Sequence, residues 1–525
     1  MNYLQNFFKT YAPILAISIV IFVVLESIIA FGVDYLQKND VDSYKQINAY
    51  DSSAHIKVVL SSLNRNADIF YHVLIDNPKM IDIMEKASET SDEKELSDLR
   101  TTLYEMYKTK YRYLKSNNVR QLHFHLKGAV SFLRFHRPSK FGDSLKNIRE
   151  DIAYVNQSHM PLNCFTEGRV FNGFRNVYPI FKGKKFVGTV EISYLFSALQ
   201  EELLEMTRSS YLFMVNLDVV GKKVYKNEQF RYTKSEFENF DYDIATLHDL
   251  MEFRLENLYK INRAIAQVAK DKLQKGELFA IKYSDKTLFN GRIILASFVP
   301  IKNLENKTVA YVIQYEFGNY LELLLKKSKM ITIILSIVAL LLSIVLFLIL
   351  FYYRKKHKEV EYLATHDALT KLYNRHGANA LINQKIDEYM RFRRDLSLIF
   401  FDIDFFKRVN DTYGHDIGDY VLENIAKIVN KQIRTSDIIA RWGGEEFIIV
   451  LPETTLSSAE DVAHKLRREI EFHVFYEIDK VTCSFGVVSM QEGDTKESFF
   501  KRADNCLYSA KEKGRNCVVS ELNLN

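Results

Sequence analysis

A chain of 525 residues is too long for a single hydrophobic core, so several folded units are expected. Its 71 Lys and Arg nearly balance 66 Asp and Glu, and a formal net charge of +5 argues against a nucleic-acid polymer as partner. The four cysteines, Cys164, Cys483, Cys506 and Cys517, show no CxxC pair and no metal-ligand spacing.

Residues 1–11 precede the run APILAISIVIFVVLESIIAFGV (12–33), about the 20 apolar residues a bilayer core requires, with Glu26 as its only charge. This predicts a membrane helix. A cleaved signal peptide would have a shorter apolar region followed by small residues, whereas bulky residues here continue to Phe31, so an uncleaved anchor is expected.

Residues 42–115 carry helical periodicity, as in SYKQINAYDSSAHIKVVLSSLNRNADIFYHVL, and predict a stalk. Strand patterns with turn signals follow in RQLHFHLKGAVSFLRFHRP, VYPIFKGKKFVGTVEISY, YLFMVNL, LFAIKYS, IILASFVPIKN and TVAYVIQYEF. Phe132, Arg134 and His136 alternate along FLRFHRP and predict one shared strand face, while His123 and His125 share a face of the preceding strand. The bland reading pairs these cations with acids such as Asp143 on an outer surface. The functional reading gives Arg134, assisted by His136 or Arg137, a small ligand bearing a carboxylate or other anionic group. Two strand-rich blocks, near 118–196 and 210–317, after one long helix resemble a double Cache sensor. The details HFHL, FLRFHRP and KFGD resemble a subgroup of that family found on chemoreceptors and cyclases. The resemblance implies an α+β sensor over 34–329 and names no ligand. Cys164 is the only cysteine there, which excludes a disulfide within it.

The run MITIILSIVALLLSIVLFLILFYY (330–353) carries no charge, and a buried soluble helix apolar all round is improbable at that length, so a second membrane helix is expected. Arg354, Lys355, Lys356, His357 and Lys358 follow at once and favour a cytoplasmic C-terminus, although Lys326, Lys327 and Lys329 weaken the asymmetry. Residues 354–366 contain no flexible linker and read as a helical connection able to transmit displacement.

Beyond it the pattern predicts helices at 376–393, 415–434, 457–472 and 497–513, strands at 396–403 and 480–489, and a hairpin at 437–451. The strand LSLIFFDID ends on Asp402 and Asp404, two apart and so expected on one face, where paired carboxylates suit magnesium. In ARWGGEEFIIVL two β-runs flank Gly443-Gly444-Glu445-Glu446. There glycines permit the positive φ of a tight turn and leave room for a ligand, with two acids at the tip. Together these acids offer the oxygen ligands of a two-metal phosphoryl-transfer site.

The ordered elements DALTKLYNR (367–375), DIDFFKRVNDTYGHDIGD (402–419), RWGGEEF (441–447), CSFGV (483–487) and ADNCLYSAKEKGRN (503–516) resemble the GGDEF diguanylate cyclases, in the GGEEF variant. The resemblance implies an α/β domain over 367–525, related in fold to the polymerase palm and class III adenylyl cyclases. It also implies joining of two GTP into cyclic di-GMP with release of pyrophosphate. Position by position, it implies two Mg2+ per site, with Mn2+ as an alternative, held by Asp402, the Ile403 carbonyl, Glu445 and Glu446. Glu445 is also the candidate base. Phe405, Phe406 and Lys407 would meet the triphosphate, with Lys407 stabilising transition-state charge. Asn410 and Asp419 would read guanine, and His415, Lys511 and Arg515 complete the substrate contacts. Lys511 and Arg515, four apart, are expected on one helix face. Arg434 and Asp437 stand at the family's RxxD site, where product binds as inhibitor. A homodimer is implied, because each domain resembles a half-enzyme holding one GTP. These calls together describe a multidomain protein of the bacterial inner membrane, with its sensor in the periplasm facing an unidentified small ligand and its catalytic domain in the cytoplasm. A catalytically silent cyclic di-GMP receptor is the alternative, and a chemoreceptor is excluded for want of a long cytoplasmic heptad hairpin.

Overall fold

The computed structural model describes residues 2–166, 168, 172–219, 226–248, 250 and 253–523. The chain divides into two compact units, Val23–Leu340 and a second made of Met1–Phe22 with Leu341–Asn525.

The helix Asn2–Ile75 runs through the first apolar segment, Pro13 and Gly32 included, and continues beyond it where neither Gly nor Pro occurs between Asp34 and Ile75. Asn77 then caps Pro78–Glu89, with Pro78 at the first helical position, and Asp92 caps Glu93–Ser116. These helices cover a five-stranded antiparallel sheet in the order Val130–Arg134, Val119–Leu126, Lys185–Tyr194, Gly173–Lys182, Leu162–Thr166. Their shared core includes Met84, Leu103, Tyr107, Phe124 and Val190. A second, six-stranded antiparallel sheet runs Tyr232–Lys234, Phe240–Asp243, Ser210–Asn216, Thr308–Phe317, Ile294–Lys302, Phe279–Tyr283. The amphipathic helix Leu255–Lys275 buries Leu258, Ile261 and Ile265 on it. The short strands Leu162–Thr166, Tyr232–Lys234 and Phe240–Asp243 had no sequence signal strong enough to predict them.

The helix Asn319–Thr365 continues from the second sheet through the apolar run to the threshold of the C-terminal domain. Among the described residues, two helices are long and apolar enough to cross a membrane, and their apolar windows are only 11% buried, unlike those of soluble core helices.

The C-terminal sheet runs Tyr373–Asn374, Ile438–Arg441, Glu446–Pro452, Leu396–Ile403, Cys483–Ser489, Val518–Ser520, antiparallel at its centre and parallel at both edges. Helices Arg375–Phe392 and Lys496–Glu512 cover one face through Ile382, Phe499 and Leu507. Helices His415–Gln432 and Leu456–Glu471 cover the other through Val421, Ile425 and Leu466.

Candidate active site

Leu396–Ile403 lies at the middle of the sheet and is buried on both faces, which is why its sequence is a continuous apolar run until Asp402. Asp402 pairs in register with Glu446 on one neighbouring strand and Ser484 on the other. The Ile403 N–H donates to the Glu445 carbonyl at 3.4 Å, which brings Glu445 to the strand end. Asp402, the Ile403 carbonyl, Glu445 and Glu446 thus fall at one mouth of the sheet.

The hairpin turn closes with Trp442 and Gly443 both donating to the Glu446 carbonyl, at 2.8 and 3.3 Å. Neither Gly443 nor Gly444 has positive φ, so the expected reason for glycine is corrected. A Cβ on Gly443 would lie 2.6 Å from Glu446 Oε2, the far end of a side chain that can turn away, and one on Gly444 would project into open space, so what the glycines leave at the tip is room. Sequence reasoning assigned no role to Arg441. Its Nε and Nη2 donate to the Gly444 carbonyl at 3.1 and 2.8 Å, and its Nη1 reaches the Asp367 carboxylate at 3.2 Å. Arg441 therefore ties the turn to the loop before the first helix. Both residues lay in the quoted elements, and an Arg next to a glycine turn was the available signal.

Burial lifts Asp402 to a pKa of about 6, opposed by Lys511 and reinforced by Glu445 and Glu446. Burial likewise raises Glu445. The Lys511 ammonium lies 2.9 Å from Asp402 Oδ1 and stands in for a cation at the crowded carboxylates. A set of hard oxygen donors needing positive charge fits Mg2+ or Mn2+.

Asp404 does not join them, which corrects the expected Asp402–Asp404 pair. It lies past the strand end, and its carboxylate accepts from Thr482 Oγ1 at 2.7 Å, Ser484 Oγ at 2.6 Å and the Asn516 N–H at 2.9 Å. It fastens three chain segments, and those donors take up most of its lone-pair capacity.

Phe405 takes a left-handed conformation, φ 54°, at the turn into the helix Phe406–Tyr413, which sequence reasoning missed. The first amides of that helix open at the strand end, and Lys407 is exposed on its first turn. Gly414, φ 87°, joins it to His415–Gln432, whose first residue is the exposed His415. Asn410 Oδ1 would lie only 1.8 Å from a Cβ on Gly418, so glycine is required there and Asn410 packs beside the residue preceding Asp419. Arg515 does not share a helix face with Lys511 as expected. The helix ends at Glu512, and Arg515 follows Gly514 (φ 103°) with φ 66°, its guanidinium 4.3 Å from the Phe405 ring centroid.

Asp437 accepts the Arg434 backbone N–H at 2.8 Å, so the RTSD segment is a side-chain-capped turn. The exposed Arg434 side chain lines a cavity of about 530 Å³ with Lys385, Arg394 and Ser436.

A separate cavity of about 470 Å³ lies in the five-stranded unit, lined by Gln121, His123, Arg134, His136, Arg137 and Arg149 among others. The strand Val130–Arg134 stops before His136, so the expected shared face of Phe132, Arg134 and His136 is broken, although Arg134 and His136 both reach the cavity. Arg134 is held bidentately by Asp143, at 2.7 and 2.8 Å, the pairing that the bland reading anticipated. Behind the cavity, fully buried Glu191 accepts from Arg175 and lies 3.0 Å from Arg149 Nη2, while Arg149 also grips Asp151 at 2.9 and 2.6 Å. His123, His125 and Glu191 bring ligand atoms within 4.8 Å of one another, but both Glu191 oxygens are already engaged by guanidinium, which disfavours a cation. Burial lowers His123 to about 3 and His136 to about 4, so both are neutral.

Residues 364–517 match the family described as diguanylate cyclase, GGDEF domain, and residues 50–234 match the double sensory domain of two-component sensor kinase. The C-terminal match and the sensory match thus cover separate stretches of the chain. It is similar to response regulator PleD of Caulobacter vibrioides, 39% identical over 165 residues, covering 30% of this chain and 36% of that protein. It is also similar to diguanylate cyclase A of Treponema denticola, 40% identical over 168 residues, covering 31% of this chain and 45% of that protein. The chain thus spans less than half the length of these curated relatives. Among solved structures it is similar to the active GGEEF domain of a diguanylate cyclase from Vibrio cholerae, at 38% identity, 26% of this chain, 89% of that chain and a TM-score of 0.26.

Proposed function

We propose that residues 367–525 form a diguanylate cyclase, which condenses two GTP into cyclic di-GMP and two pyrophosphates as a homodimer. The observation that supports it most is the convergence of Asp402 with Glu445 and Glu446 at the end of the central strand pair. Asp402, the Ile403 carbonyl, Glu445 and Glu446 would hold two divalent cations, whose charge would offset that of the leaving pyrophosphate and lower the pKa of the attacking hydroxyl. The amides of Phe405 and Phe406 cradle the triphosphate and Lys407 balances its growing charge. Lys511, released from Asp402, and Arg515 grip the outer phosphates, and His415 completes the substrate contacts. Glu445 takes the proton of the 3′-hydroxyl. The 3′-oxygen then bonds to the α-phosphorus held by the partner domain, the bond from that phosphorus to the β-phosphate bridge breaks, and pyrophosphate leaves. A second such exchange across the two-fold closes the ring, with positioning supplying much of the acceleration.

Asn410 and Asp419 read guanine, since an aspartate accepts from N1 and N2 and an amide donates to the ring acceptors. Asn410→Ala and Asp419→Ala should each raise the KM for GTP and narrow the preference over ATP, by roughly tenfold or more for a lost base contact. Steady-state kinetics with both nucleotides check this, and unchanged constants in both variants would remove these residues from base recognition.

Product feeds back at Arg434 and Asp437, where a planar guanidinium suits phosphate or a guanine edge. Arg434→Ala should abolish the slowing of turnover as cyclic di-GMP accumulates, as progress curves with added product would reveal. A variant as inhibited as the parent would leave RTSD a structural turn.

Segments 12–33 and 330–353 cross the bacterial inner membrane, placing 34–329 in the periplasm and 367–525 where GTP is found. The continuity of Asn319–Thr365 through 354–366 supports direct transmission from sensor to cyclase. The cavity near Arg134, His136 and Arg137 receives a small anionic ligand, which its cationic lining supports.

A further inference from the structure

Among the residues lining the 470 Å³ cavity, five are cationic, Arg134, Arg137, Lys140, Arg149 and Arg175, and one is acidic, Asp143. Two of the five, Arg149 and Arg175, are committed behind the wall to Glu191 and Asp151. Arg134 differs. Its partner Asp143 is 51% exposed at the side chain, while Arg134 itself is only 14% exposed. A guanidinium recessed against a cavity is thus matched to a carboxylate standing at the solvent side.

We infer that Asp143 is a built-in stand-in for the ligand, occupying at Arg134 the seat that the carboxylate of a small aliphatic carboxylic acid takes when it binds. This rests on the reading of the cavity as an anion site and specifies the chemistry of its ligand. The contact is a template: two oxygens of one planar carboxylate meet Nη1 and Nη2 at 2.7 and 2.8 Å, a fork geometry that carboxylates satisfy. Arg134 Nη1 also donates to the Lys140 carbonyl at 3.0 Å, which fixes the fork when its partner changes. The exchange requires no loop to open. Backbone bonds from Gly142 N–H to the Ser131 carbonyl (2.8 Å) and from Ser131 N–H to the Asp143 carbonyl (3.0 Å) hold the segment to the sheet, so the exchange falls to the Asp143 side chain. A ligand carboxylate offers Arg134 the same two bonds as Asp143, so a ligand that also covers apolar Phe141, Leu145 and Ile148 gains burial that Asp143 lacks and displaces it.

The test uses the full chain in detergent, titrated by calorimetry with acetate, lactate, succinate and citrate against sodium chloride of equal ionic strength. At least one carboxylate should bind the parent. Asp143→Asn should bind the same acid roughly two- to fivefold more tightly, the scale of an exposed ion pair. Arg134→Gln should lose binding, while Arg134→Lys, which keeps charge without the fork, should weaken it; melting curves of all variants show that each is folded. A carboxylate that binds the parent but no more tightly to Asp143→Asn overturns the stand-in and spares the anion site. Binding that survives Arg134→Gln unchanged overturns the seat. Failure of every carboxylate to bind any folded variant overturns both.

Discussion

Glu445→Gln should lower GTP turnover by at least about a hundredfold, the range expected when a positioned acid–base group is lost. The substitution keeps shape while removing charge. The backbone carbonyl at this position, which accepts from Ile403, is untouched by the change, and neither Gly443 nor the Arg441 clamp on Gly444 involves the Glu445 side chain, so the hairpin should stay in place. What disappears is the carboxylate that faces Asp402 and, with Glu446, raises the Asp402 pKa. Quench-flow or coupled pyrophosphate release measures the rate, and melting temperature confirms the fold. Activity within a few-fold of the parent would remove Glu445 from the chemistry.

Glu191→Ala should destabilise the five-stranded sheet by about 3 to 5 kcal/mol, because it removes the carboxylate between Arg149 and Arg175 and leaves the buried cluster with excess positive charge. Burial alone would raise the Glu191 pKa, yet Arg149 and Arg175 hold the carboxyl well below the ordinary range, so the side chain is charged and central to the cluster. Hydrogen exchange over Val119–Leu126 and Lys185–Tyr194 should accelerate sharply in the variant. Replacing Glu191 and Arg175 together, with Glu191→Leu and Arg175→Met, should recover much of the loss, since the Arg149–Asp151 pair is kept and the buried charges again balance. Protection unchanged in Glu191→Ala would mean that the arginines find other partners.

Local pattern carried part of this architecture. The strand Leu396–Ile403 was legible to the residue, because a continuous apolar run bounded by charge is what a doubly covered strand requires. The five-stranded sheet and the six-stranded sheet that follows it coincide with the blocks near 118–196 and 210–317 for a similar reason. The helix Phe406–Tyr413 escaped notice because its eight residues bury only Phe406 and Val409, too few for a periodic signal. Asp404 looked equivalent to Asp402 in sequence. What separates them are partners 78, 80 and 112 positions away, which no local pattern contains. The φ angles at Gly443 and Gly444 were misread because turn statistics favour positive φ, whereas this turn closes without it through the Trp442 and Gly443 N–H bonds to the Glu446 carbonyl. At FLRFHRP the alternation was real, but it outran a strand that ends at Arg134.

Identification of the nucleotide formed by the full chain from GTP and magnesium tests the central claim most directly. With α-labelled GTP separated by chromatography and pyrophosphate counted in parallel, the chain should yield cyclic di-GMP with two pyrophosphates per molecule, and a rate per chain that falls on dilution below the dimer's dissociation constant. GDP with orthophosphate as the products, or a folded chain that binds cyclic di-GMP yet forms none from GTP, would contradict it.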